Sequence, residues 1–320
     1  MVFYFFVVVV DTSQRKAKDL QWLHAHNLSD LDAPLSLLLF VGYPRSAHSL
    51  VGAILDAHPN MVVAHELNLV ARASSFRDRL QLVKRILSAE HGEQLAGGRQ
   101  QSGYSYAIPN AWQNRWEAPL LVVGDKKGHG TTSSLQLDWP GSLQRLERLQ
   151  SLVGGPLRFF HVLRNPYDNI ATMIHYELLE RSSAWQHVRN SSTAPLAWRA
   201  DFERVVSHYL DTVDTNMRFE QLLLSCEDDA RRRRQCLGAA RLLHVDGAEL
   251  LRNPLAEMRR WCEFLAVPWR QEWADASRAI LFAEPFPSRN LVQWPAPVVA
   301  QIEQRLRQYA PFVELLRHRP

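Results

Sequence analysis

The sequence predicts an α/β fold of the three-layer, P-loop type, a central parallel sheet with helices on both faces. Three observations carry that expectation. Short apolar runs with no polar residue recur along the chain and read as strands buried on both faces. Segments of helical spacing separate them, the alternation that makes a sheet parallel. The 320 residues, 46% of them hydrophobic, supply one sizeable core and not several.

Taken in order, residues 1–34 form an N-terminal extension and residues 35–320 the folded domain. Residues 1–10 are apolar throughout and break at Asp11. Ten residues are too few for a membrane-spanning helix, which needs about 20, and the basic start of a signal peptide is missing. The stretch reads as the remnant of a signal anchor or as a plain lead-in. A strand is expected over 35–41, closed by Gly42-Tyr43-Pro44, then a helix over 50–57 ended by His58-Pro59-Asn60. A second strand covers 61–64, and one long amphipathic helix is expected over 66–90. Residues 91–117, rich in Gly, Gln and aromatics, read as an insertion over one face. Strands follow at 120–123 and 157–163, the second leading through Arg164-Asn165-Pro166 into a helix. A helical region over 196–226, a strand at 240–245, and helices over 248–265, 271–282 and 298–309 complete the chain.

Charge and cysteine content narrow the function. The net charge of +4 and pI near 9.1 suit an anionic ligand and are too weak to indicate nucleic acid. Arg231 to Arg234 beside Glu227-Asp228-Asp229 read as a solvated surface with local pairing, or as a glycan-binding patch. Cys226, Cys236 and Cys262 lack CxxC spacing, so neither a disulfide framework nor a zinc site is expected, and no metal is assigned. Cys226 and Cys236 either pair in an oxidising compartment or remain thiols. Asn27-Leu28-Ser29 and Asn190-Ser191-Ser192 fit the glycosylation pattern.

The chemistry concentrates at 42–49, where a strand meets a helix and successive N–H groups with the helix dipole make an anion site. Against the pattern G-x-x-x-x-G-K-[ST], Gly42 and Ser49 match, but Ala47 replaces the second glycine and His48 the lysine. The lysine that reaches the terminal phosphates of a nucleoside triphosphate is therefore absent. Pro44-Arg45-Ser46-Ala47-His48-Ser49-Leu50, with Leu55-Asp56-Ala57-His58-Pro59 and His65-Glu66, instead resembles the opening motif of the sulfotransferase superfamily. Tyrosylprotein and carbohydrate sulfotransferases are the nearest in pattern.

This resemblance implies the cofactor 3′-phosphoadenosine 5′-phosphosulfate (PAPS). Arg45, Ser46, Ala47, His48 and Ser49 would hold its 5′-phosphosulfate, and Glu66 would be the catalytic base. His161-Val162-Leu163-Arg164-Asn165-Pro166-Tyr167-Asp168 resembles the family's 3′-phosphate motif, with Arg164 offering a bidentate fork and Thr172 a hydroxyl. Val123-Gly124-Asp125-Lys126 resembles the segment that brings a cation to the sulfuryl group, implying Lys126 as a catalytic residue beside Arg45, with Lys127 its competitor. Ser288 and Arg289 fall where the family closes a loop over PAPS. The likeness covers residues 36–310, including the closing helix around Trp261-Cys262-Glu263-Phe264-Leu265.

The resemblance thus implies sulfuryl transfer from PAPS to a hydroxyl or amine, without a metal, leaving adenosine 3′,5′-bisphosphate. The acceptor is open among a glycan, a peptide tyrosine and a small alcohol. The insertions 91–117 and 182–195 are expected to shape its pocket. Two other readings stand beside it: a P-loop kinase or NTPase, and a non-catalytic PAPS-binding protein. The second arises because alanine at a φ > 0 position costs about 1–2 kcal/mol, while His48 replaces a hydroxyl residue. That histidine would donate to the phosphosulfate, act as a second base, or fill space. The sequence as written reads as soluble and cytoplasmic, with the Golgi lumen as alternative if the apolar start is a truncated anchor. It does not specify an oligomeric state.

Overall fold

The computed structural model describes residues 34–95, 100–101, 104–113, 115–178, 194–227, 237 and 240–320. The N-terminal extension to residue 33, both glycosylation patterns, the arginines 231–234 and Cys236 lie outside the described residues. So do most of 182–195 and the side chain of Cys226.

Five strands form one parallel sheet. In chain order the elements begin with β1 (Ser36–Val41), α1 (His48–Asp56), β2 (Met61–Ala64), α2 (Leu69–Arg72) and α3 (Arg79–Leu95). A small antiparallel hairpin, β3 (Gln100–Gln101) and β4 (Tyr104–Ser105), precedes β5 (Val122–Asp125). Next come α4 (Gly128–Leu137), α5 (Trp139–Val153), β6 (Leu157–Leu163), α6 (Pro166–Leu178), α7 (Phe202–Glu227) and β7 (Arg241–Asp246). The chain closes with α8 (Gly247–Arg252), α9 (Pro254–Leu265), α10 (Gln271–Arg278), α11 (Ala296–Leu306) and α12 (Ala310–Val313). The sheet order is β2-β5-β1-β6-β7, with Ala64 and Leu39 both opposite Asp125 and Val41 opposite His161. All five carboxyl ends therefore lie on one edge, where α/β sheets bind ligands.

Alternation along β1 shows why its run is apolar on both faces. Leu37, Leu39 and Val41 pack with Leu82, Ile86, Leu146 and Phe219 from α3, α5 and α7. Leu38 and Phe40 pack with Val51, Ile54, Met258, Trp261 and Trp273 from α1, α9 and α10. Helices thus cover both faces, making three layers. A third apolar cluster joins Tyr43 and Leu163 to α6, α7 and α11. At the centre Gly124 is obligatory, since a Cβ there would lie 2.6 Å from Leu38 O across the sheet.

Several expected elements differ. The single helix over 66–90 is broken: residues 66–68 turn, α2 and a 3₁₀ turn at Ala73–Ser75 follow, and α3 begins only at Arg79. The cause is non-local. Asp125 accepts from Leu67 N (3.0 Å) and Leu69 N (2.9 Å), holding Asn68 between them at φ 58°, a left-handed residue that a right-handed helix cannot include. The helix expected over 248–265 splits at Asn253 because Pro254 starts α9 and cannot continue α8. The region 196–226 becomes helical only at Phe202, α10 stops at Arg278, and α11 spans 296–306. The sequence reading left α4 and α5, between β5 and β6, unassigned. Among the described residues no helix is long and apolar enough to cross a membrane.

Candidate active site

Residues 42–47 join β1 to α1 through a backbone that ordinary residues avoid. Gly42 sits at φ 144°, Arg45 at 68° and Ala47 at 73°. Left-handed geometry costs an L-residue about 1–2 kcal/mol, so the surroundings must impose it twice on non-glycine residues. They do so by taking the loop's carbonyls. Ser46 Oγ donates to Tyr43 O (3.0 Å), Asn169 Nδ2 to Pro44 O (2.8 Å) and Arg164 Nη1 to Arg45 O (3.1 Å). Gly42 N donates to Thr132 Oγ1 (3.0 Å), whose hydroxyl donates to Asn216 Oδ1 (2.7 Å).

His48 is part of this support. Its Nε2 lies 3.3 Å from Val41 O, and its ring packs edge-on to Phe40. A Cβ on Gly42 or on Gly128 would come within 2.7 Å of the ring, so both glycines are required by the imidazole between them. Burial first, and Lys126 next, push its pKa down to about 3. In the fold its neutral ring fills the space between Gly42 and Gly128 and lies within 3.3 Å of Ser46 Oγ.

Beside the loop, the exits of β2 and β5 deliver opposite charges. Lys126 Nζ donates to Ser49 Oγ (2.9 Å) and to Glu66 Oε1 (2.8 Å), while Lys127 Nζ bonds Glu66 Oε2. Of the two lysines Lys126 is the one that points inward: its side chain is 3% exposed, that of Lys127 32%. Burial pushes the Glu66 carboxyl up, but both lysines outweigh it and hold it well below the usual carboxylate range. Arg45 is half-buried, its guanidinium 3.0 Å from the centre of the Tyr176 ring and within the field of Tyr106 and Glu66.

At the exit of β6 a second cluster forms. Arg164 Nη1 donates to Thr172 Oγ1 (3.0 Å), and Nη2 to Ser288 Oγ (2.8 Å) and Phe286 O (3.4 Å). The Thr172 and Ser288 hydroxyls lie 3.1 Å apart. Ser288, expected from a loose local match, thus meets Arg164 and Thr172. Arg289 is turned the other way, its Nη1 donating to Asp168 Oδ2 (2.6 Å).

Sequence reasoning missed four supporting residues. Asp125 was in view only as a member of the Val123-Gly124-Asp125-Lys126 segment, with no role of its own, and Asn169 and Asn216 lie within helices with no local signal. Tyr176 is tied to Arg45 only by folding. The Leu55-Asp56-Ala57-His58-Pro59 segment, in turn, is structural. Asp56 Oδ1 accepts from Val63 N (2.8 Å), and His58 bonds Pro268 O through Nε2 (2.9 Å) and Asn60 N through Nδ1 (3.1 Å).

Solved structures with a similar course include the sulfotransferase domain from the curacin biosynthetic pathway, 14% identical with a TM-score of 0.45, covering 86% of this chain and 97% of that one. The sulfotransferase domain of the Synechococcus PCC 7002 olefin synthase is 14% identical with a TM-score of 0.44, covering 87% and 95%. The mouse sulfotransferase SULT7A1, complexed with PAP, is 13% identical with a TM-score of 0.38, covering 91% of each chain. No curated protein matches the chain. A family model described as the sulfotransferase family matches residues 38–271, nearly three-quarters of the sequence, and the chain belongs to that family of enzymes.

Proposed function

We propose that this sulfotransferase uses PAPS and an acceptor hydroxyl or amine, with Glu66 as general base and Lys126 and Arg45 as the catalytic cations. The observation that carries the reading is Lys126, which bonds Ser49 at the phosphate loop and Glu66 at the β2 exit together. One buried cation therefore links the group that would bind the donor to the group that would take the acceptor's proton.

The donor set suits the cofactor. Residues 42–47 form a strained loop whose carbonyls at 43, 44 and 45 are held by side chains, a geometry that favours amides toward an anion. Ser46 and His48 serve it by bracing the loop, Ala47 by its exposed backbone, and Ser49 by its hydroxyl. Arg164, Thr172 and Ser288 would hold the 3′-phosphate, with Arg289 behind them on Asp168. PAPS when bound supplies the sulfuryl group and leaves as adenosine 3′,5′-bisphosphate. For its part, Glu66 accepts the acceptor's proton at a carboxylate oxygen, which requires one lysine to release it. Lys126 and Arg45 then stabilise negative charge that develops at the reacting oxygens.

Radiolabelled PAPS offered with separate panels of glycans, tyrosine peptides and small alcohols tests this and identifies the acceptor class. Label transfer to one panel is expected. Thermal stabilisation by ATP and Mg²⁺ but not by adenosine 3′,5′-bisphosphate would overturn it in favour of a nucleotide kinase.

A further inference from the structure

We infer that Asp168 is a positioning residue for the 3′-phosphate end of the site, fastening the turn that carries Ser288 to the first turn of α6. The inference rests on the PAPS reading above, which assigns Arg164, Thr172 and Ser288 to that phosphate.

Asp168 lies two residues into α6, where an acidic side chain ordinarily stabilises its own helix through the dipole or a cap. Here that role is filled by Asn165, whose Oδ1 accepts from Asp168 N (3.1 Å). Both carboxylate oxygens of Asp168 are spent on one distant residue. Oδ1 accepts from Arg289 N (2.8 Å) and Oδ2 from Arg289 Nη1 (2.6 Å). The carboxylate is 4% exposed, so removing its charge takes the counter-ion from a partly buried arginine. Arg289 N is the amide next to Ser288, and the bond therefore fixes the residue whose hydroxyl meets Arg164 and Thr172.

The rest of the 3₁₀ turn Ser288–Leu291 is tied elsewhere. Leu291 O accepts from Leu196 N (2.8 Å) and lies near His175 Nε2, while Trp294 Nε1 holds Arg289 O (2.9 Å). On its outer side Arg289, Asn290 and Trp294 border a cavity of about 540 Å³, while Ser288 itself is fully buried. Asp168 pairs with Arg289 directly, and its carboxylate also lies in the field of Arg164, so one acid steadies both sides of the turn.

The test compares binding of adenosine 3′,5′-bisphosphate and adenosine 5′-monophosphate, which differ only in the 3′-phosphate, to wild type and Asp168→Asn by calorimetry. Wild type is expected to prefer the bisphosphate. Asp168→Asn is expected to lose roughly tenfold in affinity for it, the scale of one charge-assisted hydrogen bond, and to bind the monophosphate as before. In turnover the same variant raises KM for PAPS with a far smaller change in kcat. Adding Ser288→Ala to Asp168→Asn costs less than the sum of the single changes, because one acts through the other. If Asp168→Asn does not fold, Asp168→Glu is measured instead, with a loss of about threefold expected from displacing the turn by one methylene. Undiminished preference for the bisphosphate in the variant overturns the inference and leaves the PAPS reading intact. A wild type that does not distinguish the two nucleotides overturns the PAPS reading itself.

Discussion

At the exits of β2 and β5, charge meets charge: Glu66 holds Lys126 on one oxygen and Lys127 on the other. At the exit of β6, Arg164 donates to two hydroxyls and two carbonyls, all neutral. On the proposed reading, the first arrangement has to be undone before Glu66 takes a proton, whereas the second already fixes the guanidinium where a phosphate would lie. A closed ion pair suits a group that must wait for its partner, because it keeps a half-buried carboxylate compensated in the resting enzyme. An arginine braced by hydroxyls and carbonyls suits a group that only binds, since those bonds hold its planar fork in one place. On the proposed reading, the contrast teaches that the two ends of the site are organised for different tasks, reaction at one and recognition at the other.

That contrast can be broken or sharpened by experiment. The largest effect is expected from Glu66→Gln, which should lower turnover by roughly 10²–10⁴ while cofactor binding persists. A variant that keeps full turnover would remove Glu66 from the reactive end. Arg164→Ala should raise the apparent KM for PAPS by roughly 10–100-fold, as loss of hydrogen bonds from a charged donor implies, with a smaller change in turnover. Equal losses in both parameters would erase the division of tasks.

Acidity gives a weaker handle. His48 is neutral in the fold with its pKa depressed to about 3, whereas in the unfolded chain it protonates near 6.5. Between those values the unfolded state binds the extra proton, so stability falls as pH falls, by roughly 1 kcal/mol per unit for this residue. Denaturant unfolding at several pH values should show that slope in wild type and a shallower one in His48→Gln. An identical slope in the two would show that the ring is not kept neutral by burial. The smallest effect is Ala47→Gly, which relieves left-handed strain but adds freedom to the unfolded chain, for a net gain of ~0.5–1 kcal/mol. A loss of stability would mean that the Ala47 methyl makes a contact outweighing its strain.

Much of this was legible in the sequence. The strands at 61–64 and 157–163 lie where their apolar runs lie, because burial on both faces leaves no room for polar residues. Arg45, Glu66, Lys126, Arg164 and Thr172 stand at strand exits or in the helix after one, where a local motif and the topology agree. The rest depended on contacts between distant segments. The helix expected from Glu66 fails because Asp125, far along the chain, pins residues 67 and 69 around a left-handed Asn68. The choice of Lys126 over Lys127 is a matter of burial, which adjacent identical residues cannot reveal. Arg289 and Ser288 look alike as lid residues, yet Asp168 draws one away while Arg164 meets the other.

The phosphate loop is six residues of continuous chain, but its supports are remote: Asn169 reaches Pro44 over 125 residues and Arg164 reaches Arg45 over 119. Such contacts close late in folding, since long chain segments must first be brought together. The loop's shape is therefore acquired only when β6 and α6 have docked, and ligand-binding competence should trail assembly of the first strands during refolding. For the same reason the segment 42–49, moved alone into another scaffold, would carry the sequence of an anion site without its conformation.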